Sequence, residues 1–205
     1  MRIALSFLLL ASLWSCAAGP VYVAKSQDES IKTKYDDSQL KKLYAENEAF
    51  LRDIYARLHK ANVNLYKEGL GLTLLTDQKN EKLHYIMMNV RPAEIYFNEL
   101  TTKPEQRFAH VLQTYFPKYL NYIKKEDLDR DDIEGLAIGI YWPVRDYSQC
   151  DTYGGFVEYI HVYLSREDVW DYFDGKETFE EAVENSEVIT SLNLQPAKNV
   201  RPVFQ

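Results

Sequence analysis

The sequence has 205 residues, 46% of them hydrophobic, with 16 tyrosines and a formal net charge of −7. A chain this rich in apolar and aromatic residues is not a disordered one, and its length allows one domain with a sizeable core. The negative balance is spread along the chain with no Lys/Arg stripe, which argues against a phosphate backbone and leaves nucleic acid off the expected partners.

The chain opens MRIALSFLLLASLWSCAAGP. Arg2 is followed by an apolar run from Ile3 to Leu13. As a helix that run spans about 16 Å, well short of the ~30 Å hydrocarbon core of a bilayer. The pattern predicts a signal peptide over residues 1–15 rather than a membrane span. It ends Leu13-Trp14-Ser15-Cys16, with leucine three residues before the cysteine and a small residue just before it. This resembles the lipobox of bacterial lipoproteins. The resemblance implies that the Cys16 thiol receives diacylglycerol and becomes the new N-terminus. Ala17, standing where Asp is absent, implies the outer membrane of a two-membrane cell, facing the periplasm. The alternative is ordinary secretory cleavage around Ser15-Cys16-Ala17 or Cys16-Ala17-Ala18, which discards Cys16 and leaves a secreted or periplasmic protein. Residues 16–35 are polar and turn-prone and are expected to form a flexible tether. Cys150 is the other cysteine, so the fold is not expected to rest on an internal disulfide.

Asp36-Asp37-Ser38 supplies capping side chains for a helix. The stripe Leu40, Tyr44, Asn47, Leu51, Ile54, Leu58, Ala61 and Leu65, widened by Leu43, Phe50 and Tyr55, predicts that it runs to about Lys67 and stops at Gly69. Asn47 on the seam suits a register-fixing position in a coiled coil; the widened stripe favours packing across the chain's own sheet. LGLTLLT (70–76) and KLHYIMMNV (82–90) read as a hairpin. A second helix begins near Pro104, and Pro117 is expected to bend or end it. KKEDLDRDDIEG reads as a solvated charged loop. GLAIGIYWPV and YGGFVEYIHVYL form a second expected hairpin, with Leu136, Ile138, Ile140 and Trp142 on one face and Glu158, Ile160 and Val162 sharing a face of the partner strand. Ser165 starts a short helix ending at Asp174-Gly175, Thr178-Phe-Glu-Glu181 has capping-box spacing for another, and the tail from Ser191 is expected to be extended. This order predicts an α+β fold: an antiparallel sheet of about four strands, built of two hairpins, packed with a long N-terminal helix and shorter helices in a single domain over 36–205.

Four sets of residues suggest chemistry. Cys150 and His161 form the one thiol–imidazole pair, the basis of an alternative reading as an envelope hydrolase, although no third orienting residue can be named. Asp127, Asp129, Asp131, Asp132 and Glu134 raise calcium, but an EF-hand starting at Asp127 would have Asp132 in the glycine position and Ile138 in that of the bidentate glutamate. His59, His84, His110 and His161 lie in four different elements with no zinc-ligand spacing. Tyr141, Trp142, Tyr147, Tyr153, Phe156, Tyr159 and Tyr163 cluster around the second hairpin, with Arg145 and Asp151 in or beside its connection. Such an aromatic set can stack on a ligand or a partner protein.

With no Walker loop, GxSxG or HExxH, no cofactor and no metal are expected. The expectation is a lipid-anchored envelope protein with a non-catalytic binding or assembly role. Its surface would comprise Tyr141, Trp142, Arg145, Tyr147, Asp151, Tyr153 and Tyr159, and its partner an envelope protein or small ligand. A helix-mediated homo-oligomeric scaffold is the third reading.

Overall fold

The structure, a computed structural model, describes residues 23–76, 81–95, 97–98, 101–145 and 156–191. A one-turn helix α1 (Gln27–Ser30) precedes the long helix α2 (Ser38–Lys60). Asp37 caps α2, its Oδ1 accepting from the backbone N–H of Gln39 at 2.9 Å and Leu40 at 3.1 Å. Leu40, Leu43, Asn47, Leu51, Ile54 and Leu58 then form one buried stripe. The helix stops at Lys60, earlier than the stripe suggests. Asn62 takes a left-handed backbone conformation (φ 55°), which asparagine tolerates better than most side chains. Leu65 thereby begins strand β1 (Leu65–Thr76) instead of continuing the helix.

β1 pairs antiparallel with β2 (Lys82–Val90), as expected, but its register slips between Leu65 and Leu70. Glu68 has φ 55° there, and a Cβ on Gly69 would press to 2.7 Å from the carbonyl oxygen of Asn89. Gly69 therefore serves a bulge inside a strand, not a helix stop. A two-residue strand β3 (Phe97–Asn98) leads into α3 (Pro104–Leu120). Pro117 lies inside α3 and does not end it. The N–H it lacks would have bonded to Gln113, an exposed residue whose carbonyl water can satisfy.

The second expected hairpin is β4 (Gly135–Arg145) with β5 (Phe156–Ser165). The two hairpins do not join edge to edge as antiparallel strands. β2 and β4 run parallel, Ile86 beside Leu136 and Val90 beside Ile140, so α3 is the crossover of a β–α–β unit. The sheet order is β1-β2-β4-β5-β6, with β3 pairing parallel to the end of β4 and β6 (Glu187–Thr190) added antiparallel to β5. The expectation of a purely antiparallel four-stranded sheet is corrected accordingly; the α+β class and the mostly antiparallel pairing stand. Short helices α5 (Arg166–Phe173) and α6 (Phe179–Glu184) follow β5. Ser165 caps the first, and Thr178 with Glu181 forms the capping box of the second.

Two segments read as solvated belong to the packed structure. In the acidic stretch, a one-turn helix α4 (Lys125–Leu128) buries Asp127 and Leu128. Arg57 of α2 binds the Asp127 carboxylate, and Arg130 donates to Asn47 Oδ1 at 2.9 Å while lying 4.1 Å over the Phe50 ring. Asn47, a register residue in one reading, thus fixes α2 to its own domain. Of residues 16–35, expected to form a flexible tether, the described part is built into the fold: the chain from Val23 lies along the outer edge of β1. Ala24 N–H donates to the Leu65 carbonyl at 2.9 Å, Lys32 N–H to that of Leu70 at 2.7 Å, and Ile31 is 3% exposed. Tyr35 Oη accepts the Leu72 N–H at 2.9 Å, a side chain standing in for a strand partner. A sheet edge that would otherwise invite foreign strands is covered.

One face of the sheet carries the core. Leu70, Leu72, Ile86, Met88, Ile138, Ile140, Trp142, Ile160 and Val162 pack with the buried stripes of α2 and α3 and with Val169 and Phe179 of the C-terminal helices. Within it lies an ion pair. Arg107 of α3, 3% exposed, grips the carboxylate of Glu158 on β5, 7% exposed, through Nε at 2.7 Å and through Nη2. Trp142 Nε1 donates to the same carboxylate at 3.0 Å, and Arg107 Nη1 bonds the Thr102 carbonyl. Breaking one partner of such a buried bidentate pair strands the other. Arg107→Met should lower stability by roughly 3–5 kcal/mol, and Arg107→Met with Glu158→Gln should recover more than half of that, since the amide still accepts from Trp142. Urea denaturation of the three proteins measures both effects.

Candidate binding face

Strand pleating sends alternate residues to the opposite face, and β4 is buried on both. Register places Met87, Ala137, Tyr163 and Glu187 in one row across the sheet, Asn89, Gly139, His161 and Ile189 in the next, and Tyr141 beside Tyr159 beyond. The rings touch. Tyr66 and Tyr141 are 4.5 Å apart between centroids, Tyr141 and Tyr159 5.4 Å, and His161 lies 5.3 Å from each of the last two. Tyr85 meets Tyr163 edge-on at 5.4 Å. The result is a layer of tyrosines, partly exposed at Tyr66, Tyr141, Tyr159 and Tyr163, on which no described helix packs its core stripe.

The centre of the layer is polar. Gly139 lets Asn89 and His161 close over the strand: a Cβ there would collide with Asn89 Oδ1 and lie 2.9 Å from His161 Nε2. His161 Nε2 is hydrogen-bonded to Tyr141 Oη at 2.8 Å. Asn89 Oδ1 and Tyr66 Oη are enclosed and have no hydrogen-bond partner among the described residues. Burial lowers the His161 pKa to about 4, so the imidazole is neutral near pH 7. Burial likewise raises Tyr141 to about 12 and Tyr66 further, so both hydroxyls keep their protons. Around His161 the face therefore offers ring surfaces and uncharged donors and acceptors, with Glu187 at the edge strand beside Tyr163.

Of the residues expected to form this surface, Tyr141 and Tyr159 lie on it. Trp142 does not: it is 0% exposed on the core face, ringed by Phe97 and Phe108 with its N–H on Glu158, and is corrected from surface to core. The alternation of β4 already placed it opposite Tyr141. The backbone of Arg145 ends β4, while Tyr147, Cys150, Asp151 and Tyr153 lie outside the described residues, as does Cys16. The Cys150–His161 pairing has one described member, and its Nε2 is bonded to Tyr141. His161 meets none of the other histidines: His84 lies on the core face, and His59 and His110 sit on α2 and α3. Among the described residues no group of three His, Cys, Asp or Glu side chains is placed to hold a metal.

Tyr66 and Asn89 joined the face without having been expected there. Tyr66 falls in the stretch read as helix. Asn89 comes beside Gly139 only through the parallel β2–β4 pairing, for which the sequence has no local signal. The chain matches no protein-family profile, and no curated protein and no solved structure is similar to it.

The lowered His161 pKa has a consequence for stability. The unfolded chain, with histidine near 6.5, binds a proton between about pH 6.5 and pH 4 that the folded chain refuses. Stability should be fullest above pH 6.5 and fall as the pH drops toward 4. Urea midpoints across that range should show a shallower fall in His161→Gln, and the His161 imidazole resonances of the parent should titrate near 4.

Proposed function

We propose that the chain is an exported lipoprotein of the bacterial cell envelope, acylated at Cys16, with a non-catalytic binding or assembly role. Its ligand or partner protein is held on the tyrosine face around Tyr141 and Tyr159. Support for the address is the N-terminal sequence: Arg2, the short apolar run and Leu13-Trp14-Ser15-Cys16. The observation that carries the binding role is the sheet face itself, with half-exposed tyrosines in ring contact on the side away from the helices. Aromatic rings with polar tips give a large contact area at little loss of side-chain entropy, which suits a recognition surface.

The address is tested by mass spectrometry of the protein from a bacterial envelope. The expected N-terminal peptide begins at a diacylated Cys16; Met1 retained, or an unlipidated terminus beyond residue 16, removes the lipoprotein reading. The role is tested by affinity capture from envelope extracts with the full chain, its Tyr159→Ser variant and its Cys150→Ser variant. Tyr159→Ser, folded by circular dichroism, should lose the captured molecule by about tenfold or more, as loss of a central aromatic anchor does. Cys150→Ser should leave capture unchanged, and loss of function in that variant alone would instead favour hydrolysis.

A further inference from the structure

We propose that the end of the domain where the N-terminal segment joins the sheet is a docking surface for an anionic lipid bilayer. The short tether invoked below rests on the lipoprotein reading; the surface itself does not. Val23 bridges to Tyr66 and Ala24 donates to Leu65, so whatever precedes residue 23 departs from the beginning of β1. The same end gathers the last turn of α2, the end of β2 and the last turn of α3. Two shallow depressions meet there and share Asn62, Val63 and Asn64, one bordered by Lys25 and His59, the other by Arg91, Glu94 and Lys118.

The charge of this end opposes that of the chain. Lys60, Lys67 and Lys118 are exposed and Arg91 half-exposed, with Glu29, Glu68 and Glu94 as the neighbouring acids and Lys25 as a fifth cation, whereas the whole sequence carries −7. The first four take no carboxylate partner among the described residues. Lys34, Lys41, Lys103 and Lys124 are likewise exposed without a carboxylate partner among the described residues, so what distinguishes the four is that they gather at one end. Basic side chains in the last turns of α2 and α3 also answer the helix dipoles, but Lys67 and Arg91 lie on or beside strands, where that reason does not apply.

An exposed lysine or arginine within a Debye length of an anionic leaflet strengthens membrane partitioning by about fivefold. Position supplies the rest. Because the chain is built into the sheet from Val23, at most about 25 Å of extended backbone separates that residue from Cys16. A lipid on Cys16 would hold this basic end, and not the acidic remainder, next to the headgroups at high effective concentration.

The test uses the full protein as the cell processes it, reconstituted in vesicles of phosphatidylcholine alone or mixed with phosphatidylglycerol, and followed by hydrogen–deuterium exchange. The expected result is slower exchange over residues 59–67 and 91–94 on the anionic vesicles only. The protection should disappear at high salt and in the Lys60→Glu, Lys67→Glu, Lys118→Glu triple variant, with β4 and β5 unchanged. Equal exchange on both vesicle types overturns the proposal. The mass of the N-terminal peptide, read on the same sample, reports acylation separately. Should the protein prove unacylated, co-sedimentation takes the place of exchange. Binding to anionic vesicles alone, falling at least fivefold per reversed charge, supports the surface; no binding to either lipid overturns it.

Discussion

The Arg107–Glu158–Trp142 contact holds together parts of the sheet that the chain's local order would leave apart. Each hairpin pairs strands that are neighbours in sequence, but the two meet only through the parallel β2–β4 pair, and a parallel pair needs a long crossover lying against the sheet. That crossover is α3. Its apolar stripe supplies adhesion without fixing where along the sheet it rests. A bidentate guanidinium–carboxylate bond does fix it, since both nitrogens must meet both oxygens in one plane. The indole N–H of Trp142 takes part of the remaining capacity of the carboxylate, so α3, β4 and β5 are tied at a single point. Two buried charges seldom add much net stability over an apolar substitute; positional specificity is the better account of why they are there.

Once the helices have covered one face, the other is left to side chains that tolerate partial exposure. Tyrosine meets that requirement because its ring can bury against neighbours while its hydroxyl reaches water or a partner. This constraint and the proposed role share one cause. A sheet with helices on one side must satisfy its second face some other way, and a layer of contacting tyrosines around His161 both shields the backbone and leaves a surface on which another molecule can sit. The neutral imidazole fits the same picture, because a charged one could not lie beneath such a layer without a carboxylate beside it.

The elements that could be read from the sequence are those whose signals are local. Asp37, Ser165 and Thr178 announce helix starts through hydrogen bonds to the next few backbone N–H groups, and β2, β4 and β5 alternate as strands do. The end of α2 was not legible, because Ala61 and Leu65 continue the helical spacing and only the unhelical run Asn62-Val63-Asn64 argues otherwise. Nor was β6, whose four residues EVIT are too few to show a period. The parallel pairing of β2 with β4 depends on contacts between residues some fifty positions apart, and no short pattern encodes it. This is also why the sequence brings Tyr141 and Tyr159 together, as cross-strand neighbours in one hairpin, and carries no sign that Asn89 and Tyr66 lie beside them. Trp142 illustrates the opposite error: its alternation pointed to the core, and its chemistry drew it to the surface set.

The acidic stretch after α3 and the segment before α2 share a lesson about charge. Both look like solvated chain by composition, yet each is built in by one or two side chains that satisfy it. Arg57 and Arg130 neutralise and cover the first; Tyr35 and the backbone donors of Ala24 and Lys32 secure the second to β1. For the acidic stretch the effect is to remove Asp127 from any cation-binding role, because its carboxylate already accepts from Arg57 and from the Lys124 N–H at 2.8 Å. For the N-terminal segment the effect reaches further. Ordering the chain from Val23 along the edge of β1 protects that edge and at the same time places Val23 at one end of the domain, beside Tyr66. Under the proposed lipoprotein reading, a lipid on Cys16 would then orient the domain, since the sheet edge decides which end lies nearest to it.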